Sequence, residues 1–240
     1  DVFIKINSYN NAVKAYEQAI NLQPDNSELW YKKGLALQYL KQYEEAITAY
    51  KKTIELKPDH ELAWYNLGNC SVNLNRYEFA LQAYDQVLQY NQNNFAALLS
   101  RSNVLMTLRR YPEAIDSFNQ VIKSQPRRYQ AWYNRGWALH HLKRYSEAIE
   151  SYKKAIALRG NDYLLWYNLG NTQYNLQKYP EAIASYNKAI HYQPNHYQSW
   201  YSRGNALLNM QEYKQAIASY DKAIEDRKST RLNSSHANIS

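Results

Sequence analysis

Apolar residues return along this chain with the spacing of two successive helices, and the double pattern recurs every 34 residues. Between residues 129 and 162, the first run places Trp132 and Gly136 four residues apart, on one helical face. The second run places Ala148 and Tyr152 on one face in the same way. A short polar segment separates the two runs. The pattern therefore predicts two helices joined by a turn in every repeat.

We number the 34 places of a repeat from Ser27, so that Trp30 occupies the fourth place. Glycine recurs at the eighth place, as in Gly34, although a glycine inside a helix costs about 1 kcal/mol relative to alanine. Its recurrence predicts that the paired helix approaches closely there. The predicted domain is a single array over residues 1–225, made of a partial repeat and six further repeats: 1–26, 27–60, 61–94, 95–128, 129–162, 163–196 and 197–225.

The recurring Trp, Gly, Tyr and Ala, with Pro near the close of most repeats, resemble the tetratricopeptide repeat (TPR), as found in bacterial and cyanobacterial arrays. This resemblance covers residues 1 to 225. It implies an all-α fold, a right-handed α-solenoid superhelix of stacked antiparallel helix pairs. Repeat 95–128 matches least well, because Leu98 and Ser102 stand where the other complete repeats have Trp and Gly.

Both ends of the sequence interrupt the repeat. Asp1 falls inside the first helix of a repeat, and Tyr9 is predicted to mark the turn into the second helix. The string DRKSTRLNSSHANIS, which begins at Asp226, resembles the in-frame translation of a common sequencing adapter. We therefore predict that residues 226–240 are a non-native tail and expect the natural protein to be longer.

The amino-acid composition limits the functions that the protein can have. The single cysteine excludes an intrachain disulfide, and no run of 18 apolar residues is present, so we expect no membrane insertion. No secretory signal is visible, and we expect a cytoplasmic location. The net charge is +8, or +6 without the tail, and the cations are dispersed, which is typical of solvated helix faces.

No group of residues indicates catalysis, a cofactor or a metal, and we predict that the protein is not an enzyme. Cys70 takes a place that three sister repeats fill with alanine. His140 and His141 are adjacent, so a helix points them about 100° apart, which makes a poor metal pair. No metalloprotease HExxH motif or glycine-rich phosphate loop appears.

The resemblance implies that the first helices line a concave face, and carried over place by place it predicts a groove of Tyr and Asn. An Asn side chain can pair with both backbone groups of a peptide, and Tyr offers a flat apolar face. Packing against neighbouring helices is the alternative role for these side chains. We predict an interface hot spot at Trp137, flanked by Tyr133 and Asn134. The full set of predicted groove residues is Tyr31, Tyr65, Asn66, Asn69, Asn103, Tyr133, Asn134, Trp137, Tyr167, Asn168, Asn171, Tyr201 and Asn205.

Three functions remain open at this stage. The leading hypothesis is a non-catalytic protein-interaction scaffold that holds an extended peptide or a helix of a protein partner in the groove. A second is the substrate-recruiting arm of a larger enzyme, a transferase or kinase, whose catalytic domain lies outside this sequence. A third is a nucleic-acid-binding repeat protein, a less favoured partner class for which binding would fall steeply with salt. Neither the partner nor the oligomeric state follows from the sequence.

Overall fold

The computed structural model describes residues 2–237, with side-chain surroundings for residues 8–227. Within that range the chain is helical apart from short turns and contains no strand, which confirms the all-α prediction. The helices are α1 (Val2–Leu22), α2 (Ser27–Tyr39), α3 (Tyr43–Leu56), α4 (Glu61–Asn73), α5 (Tyr77–Tyr90), α6 (Phe95–Thr107), α7 (Tyr111–Ser124), α8 (Tyr129–His141), α9 (Tyr145–Leu158), α10 (Tyr163–Asn175), α11 (Tyr179–Tyr192), α12 (Tyr197–Asn209) and α13 (Tyr213–Ala237).

The helices keep the register of the predicted repeats. From α2 onward, each first helix covers places 1–13 of its repeat, and each second helix begins at place 17. The predicted pair of helices in each repeat is therefore confirmed. The last helix, α13, continues past Glu225 to Ala237, and the non-native origin of that tail stays a prediction. None of the helices within residues 2–237 is long and apolar enough to cross a membrane.

The turn inside each complete repeat has one backbone conformation. After α2, the amide of Lys41 donates to the carbonyl of Gln38, and the amide of Gln42 donates to the carbonyl of Leu37, both at 2.9 Å. These two bonds form a Schellman motif, which places the residue after the helix cap in the left-handed region. Six residues at the fifteenth place share a φ of 58–63°: Lys41, Asn75, Arg109, Lys143, Gln177 and Gln211.

The predicted turn at Tyr9 is wrong. Helix α1 runs without a break from Val2 to Leu22, so Tyr9 lies inside a helix. The segment before Tyr9 covers only the last places of a first helix, and so short a helix is unstable by itself. Continuing one helix keeps the backbone hydrogen bonds that a turn would break.

The recurring glycines allow the two helices of a repeat to meet closely, as predicted. A Cβ atom built on Gly170 would lie 2.6 Å from Cε1 of Tyr186, a distance that real Cβ atoms do not tolerate. Tyr186 is only 1% exposed, so its ring has little room to move. The same place meets the same ring in five repeats, with distances of 2.5–3.0 Å.

The tryptophan at the fourth place fastens each first helix to the turn before it. Nε1 of Trp166 donates to the carbonyl oxygen of Gly160 at 2.7 Å. The other four tryptophans at this place donate to a proline carbonyl at 2.8–2.9 Å. Leu98 has no N–H group in its side chain, so repeat 95–128 lacks this fastening.

The chain divides into two compact units, Asp1–Val121 and Ile122–Ser240. In the first unit, consecutive helices from α1 to α6 pack on one another. In the second unit, consecutive helices from α8 to α13 do the same. The division falls within α7, inside repeat 95–128, which is the repeat that matches the TPR pattern least well.

Candidate functional site

The predicted groove residues all lie on first helices, and each compact unit holds a set of its own. The first unit contains Tyr31, Tyr65, Asn66, Asn69 and Asn103. The second unit contains Tyr133, Asn134, Trp137, Tyr167, Asn168, Asn171, Tyr201 and Asn205.

The tyrosines at the fifth place serve mainly to join neighbouring repeats. Nδ2 of Asn66 donates to the hydroxyl of Tyr31 at 3.3 Å, and Nδ2 of Asn168 donates to that of Tyr133 at 3.1 Å. Burial raises the pKa of Tyr31 and of Tyr133, so both hydroxyls stay protonated. In five repeats the ring at this place also lies 5.7–6.2 Å from the centre of a tyrosine ring on the second helix. Tyr201 lies on α12, which is the first helix of the final repeat, and is 55% exposed.

Three of the four asparagines at the ninth place are oriented by a tyrosine from the second helix of the same repeat, whereas the repeat of Asn103 has Phe118 at the place of that tyrosine. In each case the tyrosine hydroxyl donates to the amide oxygen Oδ1, which leaves the Nδ2 group of the asparagine as a donor. In these three repeats, the Nδ2 group of the asparagine makes no hydrogen bond with residues 8–227. The pairs are Tyr84 to Asn69, Tyr186 to Asn171 and Tyr220 to Asn205, at 2.8–2.9 Å.

A cavity of about 280 Å³, here called the second-unit cavity, is lined by two of these asparagines, which lie on the first helices of successive repeats. No Lys, Arg, Asp or Glu lines it. Nδ2 of Asn209 donates to the hydroxyl of Tyr174 at 2.9 Å, and the hydroxyl hydrogen of Tyr174 is left as a further donor. The lining residues are His140, Asn171, Tyr174, Asn175, Tyr186, Ser202 and Asn205.

The first unit has a cavity of about 290 Å³ at the same repeat places, the first-unit cavity. It is also free of charged side chains. Val72 stands at the place that Tyr174 takes in the second-unit cavity, which makes this lining more apolar. Its lining residues are Asn69, Val72, Asn73, Tyr77, Tyr84, Ser100, Asn103, Val104 and Thr107.

His140 joins α8 to α10 through two side-chain contacts that the sequence did not reveal. Its Nδ1 atom lies 2.8 Å from the hydroxyl oxygen of Thr172, and its Nε2 atom lies 3.4 Å from Nδ2 of Asn175. Burial is the main cause that lowers the pKa of His140, and the neighbouring His141 adds to it. His140 is therefore neutral near pH 7. The available sequence signal was Thr172, a hydroxyl residue at a place that other repeats fill with Ala, Cys or Val.

Trp137 is half-buried rather than exposed. Its ring lies 3.8 Å from the ring of His141, and neither residue lines the two cavities described above. Asn134, predicted to flank it, is also half-buried. A role for Trp137 as a hot spot stays a prediction.

Among the described residues, neither the cysteine nor the possible metal ligands form a reactive site. Cys70 is fully buried, and burial raises the pKa of its thiol to about 12, which keeps it protonated and unreactive. Among the described residues, no group of three or more His, Cys, Asp or Glu side chains could hold a metal ion.

Family models match nearly the whole chain. A tetratricopeptide repeat model matches residues 99–163 and 167–230, and a second matches residues 27–60 and 62–94. A further model, described as TPR repeat, matches residues 1–41. The chain belongs to the tetratricopeptide repeat family. Proteins of this family are typically non-catalytic interaction modules, so membership indicates a protein-interaction scaffold.

Solved structures of other TPR proteins share the fold. A crystal structure of MamA matches with a TM-score of 0.68 and 24% identity, over 69% of this chain and 97% of that chain. YrrB, described as a TPR protein with an unusual peptide-binding site, matches with a TM-score of 0.66 and 24% identity, over 81% and 100%. The C-terminal part of a TPR protein from Cytophaga hutchinsonii matches with a TM-score of 0.71 and 21% identity, over 82% and 78%. A search of curated protein sequences finds no significant match.

Proposed function

We propose that this TPR chain is a non-catalytic scaffold that binds an extended segment of a partner protein through the asparagines at the ninth place. The observation that carries this proposal is the fixed orientation of those amides. In Asn69, Asn171 and Asn205 the Oδ1 atom accepts a tyrosine hydroxyl at 2.8–2.9 Å, which leaves the Nδ2 group as the donor for a ligand. A ligand that suits them must present hydrogen-bond acceptors.

The backbone of an extended peptide is such a ligand. Each residue carries a carbonyl oxygen, and an extended segment that is not paired in a sheet leaves these acceptors free. A helical segment of the partner fits less well, because the carbonyl groups of a helix already accept hydrogen bonds from its own backbone. Donors that recognise the backbone favour binding that tolerates many side chains, and the uncharged lining of both cavities is consistent with this.

The positions of the cations weigh against nucleic acid as the partner. Arg101 pairs with Asp85 at 2.6 Å, and Arg144 pairs with Glu147 at 2.7 Å. Neither cavity is lined by Lys or Arg, whereas phosphate binding depends on such side chains. YrrB, which shares the fold, is itself described as having a peptide-binding site. The arm of a larger enzyme would use the groove in the same way, so that alternative leaves the proposal intact.

The test has two steps. Short random peptides from a display library are first selected for binding to the protein. The proposed groove amides are then replaced by isosteric side chains. Asn→Asp at Asn69, Asn171 and Asn205 keeps the acceptor for each tyrosine hydroxyl but replaces the Nδ2 donors by oxygen. We expect the selected peptides to bind at least tenfold more weakly, because each lost hydrogen bond contributes about 1 kcal/mol. Fluorescence anisotropy with labelled peptides measures the dissociation constants.

The matched control introduces the same three charges outside the groove. Asn93, Asn161 and Asn195 are exposed residues two positions before a first helix, at the place that Asp25 and Asp59 fill in other repeats. Asn→Asp at these three positions is expected to leave the affinity within about twofold. Equal losses in both triple variants would show a general charge effect and contradict the proposal. Binding to single-stranded RNA that falls steeply with salt would favour the nucleic-acid alternative.

A further inference from the structure

We infer that His140 determines which hydrogen-bonding group Asn175 presents to the second-unit cavity, so that peptide binding there depends on pH. The inference rests on the proposed function, because Asn175 lines the cavity in which the peptide would lie. It goes beyond that function by assigning a positioning residue and a form of regulation to the site.

The first step is the position of the proton on His140. The hydroxyl oxygen of Thr172 lies 2.7 Å from the carbonyl oxygen of Asn168, and only a hydrogen donated by Thr172 can join these two oxygens. The same hydroxyl oxygen lies 2.8 Å from Nδ1 of His140. Because Thr172 has one hydrogen and has already donated it, Nδ1 must be the donor in this contact. Neutral His140 therefore carries its proton on Nδ1.

The second step is the orientation of Asn175. With the proton on Nδ1, the Nε2 atom of neutral His140 is an acceptor. It can pair only with the Nδ2 group of Asn175, which lies 3.4 Å away. The amide oxygen of Asn175 makes no hydrogen bond with residues 8–227. Near pH 7 the cavity thus offers this acceptor together with donors from Asn171 and Asn205, a combination that matches the alternating N–H and C=O groups of a peptide.

The third step is protonation. Protonated His140 carries hydrogens on both ring nitrogens, so Nε2 becomes a donor and needs an acceptor. The oxygen of Asn175 can reach it if the amide rotates by about 180° around its last side-chain bond, a rotation with broad, two-fold energy wells. Asn175 then presents Nδ2 to the cavity instead of oxygen. A peptide N–H group that faced an acceptor now faces a donor, and binding weakens.

Among the described residues, the groups that contact His140 carry no negative charge that would stabilise its protonated form. His141 on the same helix lies 5.7 Å away between ring centroids, and Tyr145 on α9 lies 5.4 Å away. From α10 the facing groups are the uncharged side chains of Thr172 and Asn175. Burial and His141 lower the pKa of His140, which agrees with this arrangement. The change in Asn175 is therefore expected at a pH below the ordinary histidine pKa of 6.5.

The first-unit cavity provides an internal comparison. The place of His140 is taken there by Gln38 in α2, whose side-chain oxygen accepts the hydroxyl of Tyr50 at 2.7 Å. The counterpart of Asn175 is Asn73, whose Nδ2 group donates to the backbone oxygen of Asn69 at 2.9 Å. Neither residue titrates, so the first-unit cavity is expected to bind without pH dependence.

The experiment measures peptide affinity at about pH 7.5 and about pH 5, across the histidine range. The probe is a peptide selected on the protein that contains no Asp, Glu or His, so that the ligand does not titrate. The protein carries Asn69→Asp, which removes the tyrosine-oriented donor of the first-unit cavity. We expect binding about tenfold weaker at the lower pH. His140→Gln should bring the ratio of the two dissociation constants close to one, because glutamine does not titrate.

The control is His141→Gln, which removes the adjacent, exposed histidine and is expected to keep the tenfold ratio. A ratio that survives in His140→Gln would overturn the inference. If no peptide binds at either pH, the proposed function fails, and nitrogen NMR of the imidazole ring still decides the inference. A neutral His140 that carries its proton on Nε2 would contradict it, whereas a proton on Nδ1 and a shift of the Asn175 amide signal on acidification would support it.

Discussion

At the scale of single residues, the contact between glycine and tyrosine shows how a repeat constrains its sequence. Only a hydrogen fits on the Cα atom of Gly34, because the ring of Tyr50 occupies the space where a Cβ would lie. The tyrosine hydroxyl at this place also donates to the asparagine at the ninth place in three other repeats. One tyrosine therefore links the packing of the helix pair to the orientation of that asparagine.

Gly34→Ala is expected to destabilise the protein by about 1–2 kcal/mol net, because overpacking costs about 1–3 kcal/mol and exceeds the gain in helix propensity. The new Cβ atom would lie 2.6 Å from Cε1 of Tyr50, which is fully buried. Urea unfolding followed by circular dichroism measures the change. Gly160→Ala is the control, since the nearest atom to its Cβ is a backbone oxygen at 3.3 Å, and it should change stability by less than about 0.5 kcal/mol. Equal stability of the two variants would contradict the packing role of Gly34.

Single residues of the site differ in how far the sequence predicts their contacts. The recurrence of glycine predicted a close approach, because one missing side chain is visible in the sequence itself. The orientation of Asn171 was not predictable, since it depends on a hydroxyl from another helix. The contacts of His140 with Thr172 and Asn175 join residues 32 and 35 positions apart, and their register depends on how successive repeats stack.

At the scale of helices, the cation at the seventh place connects a first helix to the second helices around it. Nε of Arg101 donates to Asp85 on the preceding second helix at 2.6 Å, and Nη1 donates to Ser117 at 2.7 Å. Arg203 makes only the bond to the serine, with Nη1 donating to Ser219 at 2.8 Å. Its buried Nε atom has no acceptor among the described residues, and Asn187 stands where the other repeat has the carboxylate of Asp85.

Asn187→Asp is expected to stabilise the second compact unit by about 1 kcal/mol, since it supplies a charged acceptor for the buried Nε–H group of Arg203. Burial lowers the pKa of Arg203, and a nearby carboxylate would oppose that effect. The urea midpoint should rise at low salt, and the gain should shrink as salt screens the pair. Asn195→Asp, an exposed change of the same charge, is the control. A rise of the same size in the control would contradict a specific pair.

Helix positions were predictable because local signals mark them. Tyrosines begin second helices, and prolines mark the close of most repeats. The exception was the turn at Tyr9, where the same local signal lies within the unbroken helix α1. A turn forms only where helices on both sides pack, so the signal alone was insufficient.

At the scale of the whole molecule, most contacts within each of the two compact units join consecutive helices. Within the second unit, α10 packs chiefly on α9 and α11, and the first unit has the same kind of local contacts. Stability in such arrays is a sum over repeats and their interfaces. Repeat 95–128 lacks the tryptophan fastening and contains the boundary between the units. Damage on one side of this repeat is therefore expected to spread little to the other side.

Trp166→Ala tests this expectation, because it removes a large ring and the bond to the carbonyl oxygen of Gly160. The loss should be about 3 kcal/mol, at the low end for burying tryptophan because the ring is half-buried. Hydrogen exchange followed by mass spectrometry should show lost protection in α9, α10 and α11, with α2 to α5 unchanged. Leu158→Ala is the control, since this side chain is 42% exposed and should alter protection little in either unit. Protection that falls equally in α2 to α5 would show that the two units unfold together, against the nearest-neighbour account.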